Sequence, residues 1–169
     1  MLRELALVDG RTFVTGSALL DLVSEDWLAA LAAECARAGA VALFALTYDG
    51  RIECSPTERD DALVRELVNR HQRTDKGFGT ALGPDAPERA AALFADAGYR
   101  VRRERSDWVL GRQHAELQRQ LVDGWAAAAI EIDSVRRAAI EDWRRRRQAH
   151  IDAGRSQIVV GHEDLLATR

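Results

Sequence analysis

Two apolar strands joined by one amphipathic helix, all within the first fifty residues, constrain this chain more than any other feature. Phe13, Val14, Ala18, Leu19, Leu20, Leu22 and Val23 form a nearly unbroken apolar run, as expected of a strand covered on both faces and of the turn leaving it. Ser24 is placed to cap a helix, and Glu25 and Asp26 favour its positive end. Trp27, Leu28, Leu31, Ala32 and Cys35 then recur at helical spacing, and Gly39 closes the helix. A second apolar run, 41–46, follows. Strand, helix, strand is the unit of a parallel sheet.

The rest of the chain reads in the same way. A short helix or lead-in covers 2–10, a polar helix runs over 58–73 after Pro56, and 74–87 is a loop rich in glycine and proline. An Ala-rich helix, 88–97, leads to an alternating strand, 99–105, which 107–110 continues or pairs with. Two helices follow; the first is expected to bury Leu117, Leu121, Trp125 and Ala129, and the second Val135, Ala139, Ile140 and Trp143. Residues 157–160 form a last strand. The 169 residues suit one domain, and no internal repeat or low-complexity linker divides them.

Composition excludes several classes. A net charge of -3 gives no general attraction to nucleic acid or anionic membrane. No apolar run approaches the roughly 20 residues that span a bilayer, and the first residues lack the basic-then-apolar pattern expected of a signal peptide. Cys35 and Cys54 fit no metal spacing and no disulfide framework, so a cytoplasmic location is expected. The run Arg144 to Arg147, beside Glu141 and Asp142, reads as a solvated helix face.

In an open parallel sheet, ligands bind beyond the carboxyl ends of the strands. Here those ends read Thr15-Gly16-Ser17 and Thr47-Tyr48-Asp49, both polar directly after an apolar run. The densest polar cluster is His71-Gln72-Arg73-Thr74-Asp75-Lys76-Gly77-Phe78-Gly79, which holds the only lysine. His71 and Asp75 are candidates for acid–base work and could share a helix face; with no third ligand nearby, no metal site is expected. Gly77, Gly79 and Gly83 do not make a phosphate loop, because they follow a polar helix and lead into Pro84. Ser17 lies in no Gly-x-Ser-x-Gly elbow, which weakens a hydrolase built on Ser17 and His71.

Six segments taken together carry a resemblance: Val14-Thr15-Gly16-Ser17-Ala18-Leu19-Leu20-Asp21-Leu22-Val23-Ser24, Leu46-Thr47-Tyr48-Asp49-Gly50, residues 71–79, Ala97-Gly98-Tyr99, Ser106-Asp107-Trp108 and residues 160–167. In order and spacing they resemble a bacterial branch of the class I S-adenosylmethionine-dependent methyltransferases. The resemblance implies an α/β fold: a partial Rossmann-like sheet of that family's strands four to seven, with helices on both faces and added C-terminal helices. Strands 12–20 and 41–48 would be the fourth and fifth, and 99–110 with 157–160 the antiparallel sixth and seventh. It further implies S-adenosylmethionine as cofactor, with Thr15, Gly16 and Asp21 toward it. Ser17, Tyr48, Lys76 and Phe78 would face a small-molecule acceptor, and His71 and Asp75 would be catalytic. The family's first three strands, with their glycine turn and ribose-binding acid, have no counterpart here. The expectation is therefore a single, truncated domain, the acceptor-side half, inactive alone and binding cofactor weakly or not at all. Phe13 and Val14 would then lie on an exposed edge strand, open to the absent N-terminal half or to a second copy. The competing expectation is a non-catalytic α/β module that dimerises through that edge.

Overall fold

The computed structural model describes residues 12–169, so the helix or lead-in expected over 2–10 lies outside the described residues. The described residues form two units: one takes in 12–49 together with Gln72–Ser106 and His162–Arg169, the other Gly50–His71 and Asp107–Gly161.

In the first unit β1 (Phe13–Ser17) pairs in parallel with β2 (Val41–Ser55), in the register Phe13↔Val41 to Ser17↔Ala45. The crossover between them is α1 (Glu25–Ala38). Ser24 Oγ accepts from Trp27 N at 3.3 Å to start it, and Gly39, at φ 62°, ends it in the left-handed region where an L side chain would be strained. Leu28, Leu31, Ala32, Cys35 and Ala38 are its buried stripe. After α3 (Ala86–Asp96), β3 (Arg100–Arg105) runs antiparallel to β5 (Gln157–Thr168), from Arg100↔Thr168 to Arg105↔Glu163. The strand order is β1-β2-β5-β3, with β1 at one edge among the described residues.

One face of this sheet makes the core. Ala42 and Phe44 of β2 and Leu165 and Ala167 of β5 pack with Leu28 and Leu31 of α1 and Ala90 and Phe94 of α3. Phe94 meets Phe44 at 5.9 Å and Tyr99 at 5.4 Å between ring centroids, and Tyr99 Oη donates to Ala40 O at 2.7 Å. Strand alternation sends the intervening residues to the other face. There Phe13 is 56% exposed and Val41 36%.

The second unit is helical, with α2 (Asp61–Gln72), α4 (Ala115–Ile132) and α5 (Arg137–Asp152); α4 and α5 pack against each other. The short strand β4 (Trp108–Leu110) pairs with β5, Trp108↔Val160 to Leu110↔Ile158, and not with the strand before it. In α4 the buried stripe is Gln118, Val122, Trp125, Ala126 and Ala129, with Leu117 and Leu121 only half-buried. Gln118 is turned inward because its Nε2 donates to Leu110 O and Gly111 O, at 3.0 and 2.8 Å. In α5 the expectation fails for Val135 and Ala139, which are exposed. The chain breaks at Asp133, whose side chain accepts from Arg136 N, so α5 begins only at Arg137 and its phase buries Ile140, Trp143, Arg147 and Ile151. Arg147 is therefore not part of a solvated face.

Strands β2 and β5 both run further than their apolar segments. The polar continuation of β2 is satisfied in place: Asn69 Nδ2 donates to Gly50 O at 3.1 Å, and Arg51 forms a two-pronged pair with Asp107 at 2.6 and 3.0 Å.

Candidate functional site

The carboxyl ends of the parallel pair carry two backbone irregularities. Ala18, just past β1, has φ 50°, and Leu46, inside β2, has φ 55°. Neither is glycine, and such conformations persist only where the surroundings impose them. Ala18 N donates to Ala45 O at 3.0 Å, continuing the ladder past the end of β1. Leu46 N donates instead to the Asp164 carboxylate, at 2.8 Å to Oδ1. The same oxygen accepts from Ser106 Oγ at 2.6 Å, and Ser106 N donates to His162 O at 2.9 Å. Alternation breaks at this bulge, so that Thr47 and Tyr48, neighbours in sequence, are both buried.

Three side chains gather behind it. Asp21, in a single helical turn (Leu20–Leu22) after β1, is 7% exposed. Burial pushes its carboxyl above the usual carboxylate range, opposed by the backbone N–H groups of Asp21 and Tyr48 and by the His162 imidazole. The Tyr48 and His162 rings meet edge to face, 6.3 Å between centroids. Asp21 Oδ1 and Thr47 Oγ1 are buried without a hydrogen bond inside the protein. A buried carboxyl whose proton is held more tightly than usual thus lies within electrostatic reach of an imidazole.

Of the residues singled out from the sequence, Asp21 and Tyr48 are brought together here. Ser17 and Thr15 are exposed on the strand. Gly16 serves packing: a Cβ there would lie 3.3 Å from Leu19 Cδ2 and from Phe44 Cδ1. The 71–79 segment is held by contacts within itself and to residues outside it. Helix α2 ends at Gln72, which removes the helix face that His71 and Asp75 were expected to share. His71 Nε2 lies 3.0 Å from Glu131 Oε2 within the helical unit. Asp75 Oδ1 accepts from Gly77 N and Gly79 N at 2.7 and 3.1 Å, an Asx-type turn that its bridge to Thr80 closes. Lys76 Nζ donates to Thr74 Oγ1 at 3.0 Å, and Phe78 meets the Trp27 ring edge-on at 6.0 Å. His162, Asp164 and Ser106 were not picked out as site residues, and Thr47 only as part of the polar strand end 47–49. Their signal was present: a histidine and a carboxylate directly follow the apolar run 158–160, as at the other strand ends.

The helical unit has its own polar centre. Asp61 accepts from Trp143 Nε1 at 2.7 Å, from Arg147 at 2.5 and 3.0 Å, and from Glu58 N at 2.7 Å. An open cleft of about 630 Å³, lined by Cys54, Glu58, Asp61, Arg65 and Val159 among others, lies beside it. Burial pushes the Cys54 thiol up to about 11, with Arg147 opposing, so it is no nucleophile at neutral pH. Among the described residues no cluster of metal ligands occurs, and no helix is long and apolar enough to cross a membrane.

No protein-family profile matches the chain, and no curated protein sequence matches it. Among solved structures it is similar to a cyclopropane synthase from Mycobacterium tuberculosis, at 14% identity over 96% of this chain and 57% of that one, with a TM-score of 0.39. It is also similar to a mycolic acid cyclopropane synthase, at 12% identity over 94% of this chain and 60% of that one, TM-score 0.35. A third is a phosphoethanolamine N-methyltransferase from Haemonchus contortus, determined with phosphomonomethylethanolamine and S-adenosylhomocysteine: 11% identity, 93% of this chain, 33% of that one, TM-score 0.34. The chain thus spans between a third and three fifths of the length of these structures.

Proposed function

We propose that this chain is the acceptor-side portion of a class I S-adenosylmethionine-dependent methyltransferase. The observation that carries the reading is the sheet order β1-β2-β5-β3, with a parallel first pair and the last strand antiparallel to β3. A parallel pair followed by antiparallel C-terminal strands is the sheet that the sequence resemblance implies.

The cofactor's methionine and adenosine parts do not fit the residues present. They need free backbone N–H groups at a strand-to-helix turn. At the two strand ends here those groups are spent: Ala18 N on Ala45 O, Leu46 N on Asp164, Tyr48 N on Asp21. The residues of this chain therefore belong to the acceptor. Tyr48 supplies a rigid wall, Ser17, Lys76 and Phe78 lie toward a small-molecule acceptor, and Asp21 with His162 takes the proton that the acceptor gives up. His71 and Asp75, proposed from the sequence as catalytic, are engaged in holding α2 and the loop, which favours a positioning role. The experiment is methyl transfer by a polypeptide that also carries the cofactor-binding half: His162→Gln should lower kcat while leaving the Kd for S-adenosylhomocysteine unchanged. Unchanged kcat would remove His162 and the proton-transfer reading with it.

A second reading is a non-catalytic module that dimerises through β1, favoured by the exposure of Phe13 at the sheet edge. A stable dimer with no affinity for the cofactor in any longer form of the protein would select it.

A further inference from the structure

We infer that Asp164 is a positioning residue, a carboxylate clamp that holds the left-handed bulge of β2 and so fixes Tyr48 at the rim. Leucine resists the left-handed region because its Cβ crowds the following carbonyl oxygen. Leu46 nevertheless sits at φ 55°, in the middle of a paired strand. What imposes this is a charged acceptor placed where a strand carbonyl would be: Asp164 Oδ1 takes the Leu46 N–H at 2.8 Å. The clamp is itself fixed, since Ser106 Oγ donates to the same oxygen at 2.6 Å and Ser106 N is anchored on His162 O. Two residues on, the Tyr48 N–H is directed at a second carboxylate, Asp21. The amides of Leu46 and Tyr48 are thus both directed at carboxylates, and Thr47 and Tyr48 are both buried. One strand, β5, supplies both the clamp and, two residues earlier, the imidazole that Tyr48 faces.

The functional meaning of the clamp rests on the methyltransferase reading; its existence does not. The test is therefore made first on the chain itself, by NMR of Asp164→Ala, Leu46→Gly and the double variant. Glycine accepts a positive φ without a clamp. Asp164→Ala should move the Tyr48 amide resonance and the titration of Asp21, which faces His162 and the Tyr48 and Asp21 N–H groups. It should also lower the folding equilibrium constant roughly ten- to a hundredfold, the usual worth of a hydrogen bond to a charged group. Leu46→Gly in the same chain should return the Tyr48 amide toward its native position and recover most of that loss. If Asp164→Ala does not fold, the double variant should. Native Tyr48 and Asp21 signals in folded Asp164→Ala, or a double variant as disturbed as the single one, would overturn the clamp. A confirmed clamp whose loss leaves kcat of the completed enzyme unchanged would instead count against the positioning role.

Discussion

Asp61→Ala should destabilise the helical unit far more than the loss of an ordinary surface carboxylate. Arg147 is 0% exposed and Asp61 18% by side chain, so the pair is screened little by water. Asp61 also holds Trp143 Nε1, and the whole arrangement ties the start of α2 to α5. Removing one partner of a buried pair leaves an uncompensated charge, at a cost of about 3–5 kcal/mol. A domain of this size has about 5–15 kcal/mol in total, so the loss is a large share of it. Replacing the arginine as well, in Asp61→Ala/Arg147→Met, takes the stranded charge away and should restore all but roughly 1–2 kcal/mol. Urea unfolding followed by tryptophan fluorescence measures both, and amide exchange in α5 gives the local reading if unfolding is not two-state. Cys54 offers a chemical reporter, because Arg147 pulls its pKa down and Asp61 pushes it up. With Asp61 gone, Cys54 should alkylate faster at pH 8; with Arg147 gone too, it should slow again. A single variant costing under about 1 kcal/mol, or a double variant worse than the single, would refute the argument.

Asp21→Asn should flatten the pH dependence of stability. The folded Asp21 carboxyl lies above its unfolded value of 3.8, so its stabilising share is complete below that value and is lost as pH rises through the folded pKa. The wild type should therefore lose stability across that window while the variant does not, and thermal unfolding from pH 3 to 7 reads the difference. Gly16→Ala should cost about 1–3 kcal/mol by crowding Leu19 and Phe44, and a neutral result in urea unfolding would show that this contact yields. Phe13→Lys should leave stability within about 0.5 kcal/mol and abolish any concentration-dependent association seen by sedimentation; association that persists would place the contact elsewhere.

The parallel pair, its crossover helix and the antiparallel C-terminal strands were legible because apolar periodicity reports burial directly. Ser24 and Gly39 were legible as helix ends for the same kind of local reason. Positions whose burial depends on a partner in another element or loop were not. Arg147 looks like its exposed neighbours until Asp61 is beside it, and Gln118 looks like surface until it meets Leu110 O and Gly111 O. The polar groups of 71–79 are engaged partly with one another and partly with Glu131 and Asp85, pairings that local reading does not reveal. The site was half legible. Asp21 and Tyr48 follow the two apolar runs, whereas Asp164 acts through a left-handed Leu46 that no sequence pattern announces.

Calorimetric titration of S-adenosylhomocysteine into two polypeptides decides whether the proposed acceptor-side role holds. One is the 169-residue chain, and the other is a form extended upstream of Met1 by a cofactor-binding half. The first should show no measurable binding and the second micromolar binding, with methyl transfer that His162→Gln slows. Micromolar binding by the 169-residue chain, or none by the extended form, would contradict that role.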